Sequence, residues 1–228
     1  MDSDTLAEIR KWNPAKPPEY DLVPDEVLGD LDTACRYMRP RGFPPLHIEA
    51  IESRRCKLTP AQLAAWTQII AAIRRRGIVL LHGTRGGGKT QLVTALGVQW
   101  QRYGYYARYG ACLYRTANGL IAEQIRWFTT KTGAEPIEVA RASGLLILDE
   151  VNELRTDTVF GQGEMTALLD HRYTRGLPTV LATNLAPSET PKILGWSVID
   201  RIKDRGAVVA LSGENIRDEL RRQGDRNE

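Results

Sequence analysis

The chain has 228 residues, 42% of them hydrophobic and 26% charged, with a formal net charge of +3. This accommodates one large domain, or one domain with a short appendage, and excludes a wholly disordered chain. No apolar run approaches the roughly 18–20 residues of a membrane-spanning helix. The acidic start Met1-Asp2-Ser3-Asp4 lacks the apolar stretch of a secretory signal, so a cytoplasmic protein without membrane contact is expected.

Charge is unevenly distributed. Residues 1–30 carry eight acidic and three basic side chains, a net −5, which leaves +8 on the remainder. A basic body behind an acidic leader permits nucleic-acid binding without requiring it. The cysteines Cys35, Cys56 and Cys112 have neither disulfide nor zinc spacing and read as small apolar fillers in a reducing compartment.

In chain order, Leu6, Ile9 and Trp12 recur at helical spacing. A helix this short needs a partner surface. The Pro-rich stretch Asn13–Pro18, with Pro24, reads as an extended linker, so residues 1–24 form a partner-binding segment and linker. Val27, Leu28, Leu31, Cys35 and Met38 share one face of a second helix, which Pro40–Pro45 ends. Thr59, Pro60 and Gln62 form a helix start with a capping box. Leu63, Trp66, Ile69, Ile70 and Ile73 form its expected buried stripe, and Gly77 its stop. Residues 25–77 thus read as a helical extension packing on the core.

From residue 78 to 212 helices and strands alternate. Apolar strands are predicted at Ile78–Leu81, Tyr105–Tyr109, Leu145–Leu148, Thr179–Ala182 and Ala207–Leu211. Helices are predicted over about 89–103, 117–128 and 162–175. Continuous apolar strands separated by helices indicate a parallel sheet covered on both faces, a three-layer α/β/α domain. Residues 213–228 form a charged tail.

Gly83-Thr84-Arg85-Gly86-Gly87-Gly88-Lys89-Thr90 fits G-x-x-x-x-G-K-[ST] after a strand and before a helix, the context a phosphate loop requires. Its backbone amides and the helix N-terminus cradle phosphate oxygens. Residues Gly83 to Gln91 are therefore assigned to ATP. Lys89 reaches the β- and γ-phosphates, and the Thr90 hydroxyl holds Mg²⁺. The strand Leu145–Leu148 ends in Asp149-Glu150, and acidic groups there are costly unless a cation uses them. Asp149 is read as holding Mg²⁺, and Glu150 as orienting or deprotonating the attacking water.

The extra strand between these motifs and the acid directly after Asp149 resemble the ATPase (ASCE) branch of P-loop proteins. The chain from about Ile78 to Leu211 resembles the DnaC/IstB-like AAA+ family of helicase loaders and transposition helpers. The resemblance rests on Gly83–Thr90, Leu145–Glu150, Leu168-Leu169-Asp170-His171-Arg172-Tyr173, Pro178–Leu185 and Val198-Ile199-Asp200-Arg201-Ile202 with Arg205. It implies that Asn184 is the residue that senses the γ-phosphate. It also implies that Arg201 or Arg205 reaches a neighbouring subunit's nucleotide, and that the helical lid is reduced or absent. Arg217 lies where the family often has a second nucleotide sensor, although the residues around it match poorly.

By resemblance the chain is expected to be an ATPase that loads a hexameric replicative helicase onto single-stranded DNA as a homo-oligomeric ring or spiral. The alternatives are a transposition helper acting on duplex DNA and a nucleotide-gated interaction module with little turnover.

Overall fold

The computed structural model describes residues 30–56, 58–103, 105, 110–154 and 159–211. The expected helix at Leu6–Trp12, the linker, Val27, Leu28, Tyr106–Tyr109 and the tail with Arg217 lie outside these residues.

Helix α1 (Leu31–Met38) starts at Asp30, whose carboxylate accepts the Thr33 N–H at 2.7 Å. A 3-10 turn, Arg39–Arg41, closes on Gly42. Helix α2 (Pro45–Glu52) follows, in a region whose sequence reads only as a stop. Pro44 is extended and Pro45 occupies the first turn, where a missing N–H costs nothing. Closely spaced prolines thus end one helix and begin the next.

Helix α3 (Pro60–Arg74) has the expected capping box, with Thr59 and Gln62 exchanging side-chain bonds to each other's backbone. Its buried face matches the expected one at Ile69 and Ile70 and differs around them. Gln62, Ala65, Ile69, Ile70 and Ala72 are buried, whereas Leu63 is 52% exposed and Trp66 and Ile73 are half-buried. The stripe is shifted toward Ala65 and Ala72, with Ile69 and Ile70 common to both. Two alanines on that face let the helix lie close to the sheet.

Five strands form one parallel sheet: β1 (Ile78–His82), β2 (Cys112–Thr116), β3 (Leu145–Asp149), β4 (Thr179–Thr183) and β5 (Ala207–Ala210), in the order β2-β3-β4-β1-β5. Of the expected strand at Tyr105–Tyr109, Tyr105 is helical and the remainder lies outside the described residues; strand β2 begins at Cys112. Gly110 takes φ 93°, and its carbonyl accepts the Trp100 indole N–H at 3.0 Å, so the chain turns there before entering the sheet. Cys112, Leu113 and Tyr114 are buried in the sheet.

The crossovers are helices α4 (Lys89–Arg102), α5 (Ala117–Thr130), α6 (Pro136–Ala142), α7 (Val159–Thr174), α8 (Pro191–Leu194) and α9 (Trp196–Arg205). The short helix α6 is not among the helices expected from sequence. Strand side chains alternate between two cores. Val79, Leu81, Leu145 and Ile147 join α1 to α4 on one face, and Ile78, Leu80, Leu146 and Leu148 join α5 to α9 on the other. The extension from residue 31 onward therefore completes the first covering layer together with α4. Among the described residues no helix is long and apolar enough to cross a membrane.

Candidate nucleotide site

The site forms where β1, β3 and β4 end. β1 runs into Gly83, where a Cβ would stand 2.3 Å from the Leu211 carbonyl oxygen, so only glycine passes. Gly88 caps α4 with φ 82°, a conformation that turns the first amides of the helix toward the loop. Lys89 is buried, and its ammonium donates to the carbonyls of Gly83 (2.9 Å) and Thr84 (2.8 Å) and to Asn184 Oδ1 (2.7 Å). Burial lowers its pKa, opposed by the Asp149 carboxylate. Burial, then the charge of Lys89, likewise lowers the pKa of His82.

Asp149 ends β3 almost fully buried. Its Oδ2 accepts the Thr90 hydroxyl and the Tyr114 hydroxyl, both at 2.8 Å, and its Oδ1 accepts the Glu150 N–H at 2.8 Å. Burial and then the charge of Asp149 push the Tyr114 phenol well up, which keeps its proton on oxygen as a donor. Glu150 itself is exposed with φ 54°, a left-handed conformation unusual for a residue with a side chain. The following 3-10 turn, Val151–Glu153, brings Asn152 back to β4, where its Oδ1 accepts the Asn184 N–H at 3.1 Å.

A cavity of about 520 Å³ joins these groups. Arg85, Gly86, Gly88, Lys89, Thr90, Gln91, Asp149, Glu150 and Asn184 line it, so the structure gathers most of the sequence-derived site. The loop residues Gly83, Thr84 and Gly87 contribute backbone: Gly83 and Thr84 through the carbonyls that hold Lys89, and Gly87 through a 3.2 Å turn bond to the Thr84 carbonyl. The opposite wall is the helical extension, through His47, Arg55, Cys56 and Gln62. His47 Nδ1 lies 2.5 Å from Gln91 Oε1, and the Gln62 amide donates to the Gly88 carbonyl at 3.2 Å.

Tyr114, Asn152, His47 and Gln62 are additions to the sequence-derived site. For Gln62 the capping box is a visible signal, but it signals only a helix start. His47 and Asn152 reach the cavity, and Tyr114 reaches Asp149 behind it, through sheet order and helix packing, which no local pattern records.

Arg201 and Arg205 lie elsewhere. Arg201 pairs with Asp170, and its guanidinium carbon sits 5.5 Å from the centre of the Tyr173 ring. Arg205 lies 4.1 Å over the same ring and donates to the Tyr173 carbonyl at 3.0 Å. The Arg205 carbonyl accepts from Arg75 beside Gly77, at the starting edge of β1. The phosphate loop follows the other end of that strand, roughly 16 Å away at 3.3 Å per residue. Neither arginine reaches the chain's own cavity.

Among the described residues no cluster of three His, Cys, Asp or Glu could hold a metal ion. One carboxylate and one hydroxyl, 2.8 Å apart at the phosphate loop, instead match a small hard cation that takes its remaining oxygens from water and phosphate. The residues present therefore fit Mg²⁺ together with a nucleoside triphosphate.

The sequence profile of the family described as IstB-like ATP binding protein matches residues 36–224. No curated protein sequence matches the chain. Among solved structures, the DnaC helicase loader superposes with a TM-score of 0.57 at 16% identity, over 69% of this chain and 93% of that one. DnaI superposes with a TM-score of 0.55 at 17% identity, over 69% and 88%. The replication initiator DnaA bound to AMPPCP and single-stranded DNA gives 0.59 at 19% identity, over 74% of this chain and 54% of that one, so this chain spans about half of DnaA. At such identities these likenesses establish the fold. The profile covers most of the chain, and with the phosphate loop and the parallel sheet it makes this an IstB-like ATP-binding protein of the DnaC/IstB-like AAA+ family.

Proposed function

We propose that this chain is an ATPase that loads a hexameric replicative helicase onto single-stranded DNA. The observation that carries the ATPase reading is the convergence of Lys89, Thr90, Asp149, Glu150 and Asn184 on one cavity. Lys89 exchanges its carbonyl acceptors for β- and γ-phosphate oxygens. Thr90 and Asp149 hold Mg²⁺, which when bound neutralises charge on the phosphates. Glu150 orients or deprotonates the attacking water from its exposed position on the cavity wall. Asn184, released from Lys89, turns its amide toward that water. Arg201 and Arg205 stand too far from this cavity to act there, which supports their acting on the nucleotide of a neighbouring subunit in a homo-oligomer.

The DNA reading draws on one surface of α5. Phe128 is 45% exposed and meets Trp127 and Phe160 at ring-centroid distances of 5.8 and 5.7 Å. The Lys131 ammonium lies 3.8 Å from the centre of the Trp127 ring. Aromatic faces beside a cation suit stacked, unpaired bases. The helicase-loading step leans on the fold shared with DnaC and DnaI, with the acidic segment 1–24 as the grip on the helicase.

Native mass measurement of the chain mixed with its host's replicative helicase and ATP·Mg²⁺ tests this reading. A co-complex that forms with the full chain and fails when residues 1–24 are deleted supports the loader. ATP binding without association refutes it. Glu150→Gln is expected to bind ATP and lose turnover; normal hydrolysis by that variant would remove Glu150 from the mechanism. The resemblance to IstB-like proteins leaves a second reading, a transposition helper on duplex DNA. A strong preference for double-stranded over single-stranded DNA, with bending, would select it.

A further inference from the structure

We propose that Tyr114 is the positioning residue of the divalent-cation site. Its hydroxyl fixes the Asp149 carboxylate so that Asp149 and Thr90 are aligned before the cation arrives. The inference rests on reading the cavity as an ATP·Mg²⁺ site.

A carboxylate at the end of a strand can rotate about two bonds, and a cation that selects one rotamer must meet the cost of freezing it. Here the rotamer is already fixed. Asp149 Oδ1 is held by the Glu150 N–H and Oδ2 by two hydroxyls. Of those two, Thr90 Oγ1 is itself an expected cation ligand, so its bond to Asp149 is exchanged when a cation binds. The Tyr114 bond has no such competitor: its ring comes from the neighbouring strand, on the core side of Asp149, and the residue does not line the cavity. Tyr114 is the side-chain donor that Asp149 retains in both states.

The tyrosine is held in turn by the helical extension. Its ring packs on Phe43 at 5.3 Å between centroids. Phe43 is wedged over Gly97 of α4, where a Cβ would come within 2.3 Å of the ring. A Cβ on Gly42 would stand 2.4 Å from the Tyr114 carbonyl oxygen, and Arg115 donates to the Arg41 carbonyl at 3.0 Å. The turn at residues 41–43 thus clamps the middle of β2. A route of direct contacts runs from the extension through Phe43 and Tyr114 to Asp149.

Groups that orient metal ligands typically contribute about 10–100-fold to metal affinity. Tyr114→Phe removes the hydroxyl and keeps the ring, so packing on Phe43 is preserved. The test is the affinity for fluorescently labelled ATP, measured in excess EDTA and across a Mg²⁺ titration, with a thermal melt of each protein. Expected for Tyr114→Phe are unchanged affinity in EDTA and a half-saturating Mg²⁺ concentration raised roughly tenfold. Tyr114→Leu, which loses hydroxyl and ring together, should show the same Mg²⁺ defect at a lower melting temperature. A Mg²⁺ titration of Tyr114→Phe that overlays the wild type would overturn the proposal. So would an equal loss of affinity in EDTA, which would mark a purely structural role. A wild-type chain whose ATP affinity ignored Mg²⁺ would overturn the ATP·Mg²⁺ reading, and the proposal with it.

Discussion

Two buried cations in this fold, Lys89 and Arg172, do opposite work. Arg172 is 0% exposed, and each of its three guanidinium nitrogens donates to protein oxygen. It donates to the Thr179 hydroxyl, to the carbonyls of Ala140, Ser143 and Pro178, and to the Ser143 hydroxyl. Burial pulls its pKa down to about 9, so it remains charged near neutrality. No carboxylate faces it among these partners. Its planar fork instead ties α6, α7 and the start of β4 together. Lys89 is also buried and also bonded to neutral oxygens, but it lines an open cavity. A ligand can replace its acceptors one for one. Burial of a charge therefore does not distinguish a structural cation from a functional one. The distinction is whether the cation faces a cavity from which a ligand can replace its acceptors.

The comparison can be broken by exchanging the outcomes of two substitutions. Lys89→Ala should reduce ATP affinity beyond detection, while changing stability by no more than about 1 kcal/mol, because water reaches the acceptors it leaves. Equilibrium binding and chemical denaturation measure both. Arg172→Met should destabilise the fold by about 3–5 kcal/mol, since it strands several buried acceptors at once. ATP affinity of the remaining folded fraction should be intact. If Arg172→Met abolished binding in protein that remained folded, the division between the two cations would fail.

Smaller effects sharpen the boundary of the cavity. Gln62→Ala removes both the capping-box partner of Thr59 and the bond to the Gly88 carbonyl. Loss of the cap should cost about 1 kcal/mol of stability. Weaker ATP binding should accompany it, measured by the same titration. Burial raises the thiol pKa of all three cysteines, Cys35 to about 11, so native alkylation should be slow. Cys56 alone of the three lines the cavity, so it should react first, and bound ATP should slow it. Peptide mapping after timed alkylation reads this directly.

Much of the site is legible in the residues themselves, and the reason is local. The phosphate loop is one contiguous segment whose glycines, lysine and threonine must be neighbours in sequence to be neighbours in space. Asp149 and Glu150 are legible because carboxylates at the end of an all-apolar run need a cation. The capping box at Thr59 and Gln62 is legible because it spans a single turn. Strand β2 falls later in the chain than the pattern suggests. Its residues Cys112-Leu113-Tyr114 carry no signal stronger than their neighbours', and pairing with β3 sets them in the sheet. The buried face of α3 takes Ala65 rather than Leu63 because hydrophobicity favours Leu63, whereas the packing distance to the sheet favours Ala65.

What the sequence by itself determined is thus the chemistry carried by short segments: a phosphate loop, an acidic strand end and the alternation of helix and strand. The tertiary structure decided what stands around that chemistry. It brought His47 and Gln62 of the extension against the loop and set Tyr114 behind Asp149. It also held Arg201 and Arg205 on Asp170 and Tyr173, outside the cavity lining. These placements depend on strand order and on which helix face packs, and both are settled by contacts between residues far apart in the chain. Local propensity and spacing cannot encode such contacts, because the same short pattern is compatible with several partners until the whole core is assembled.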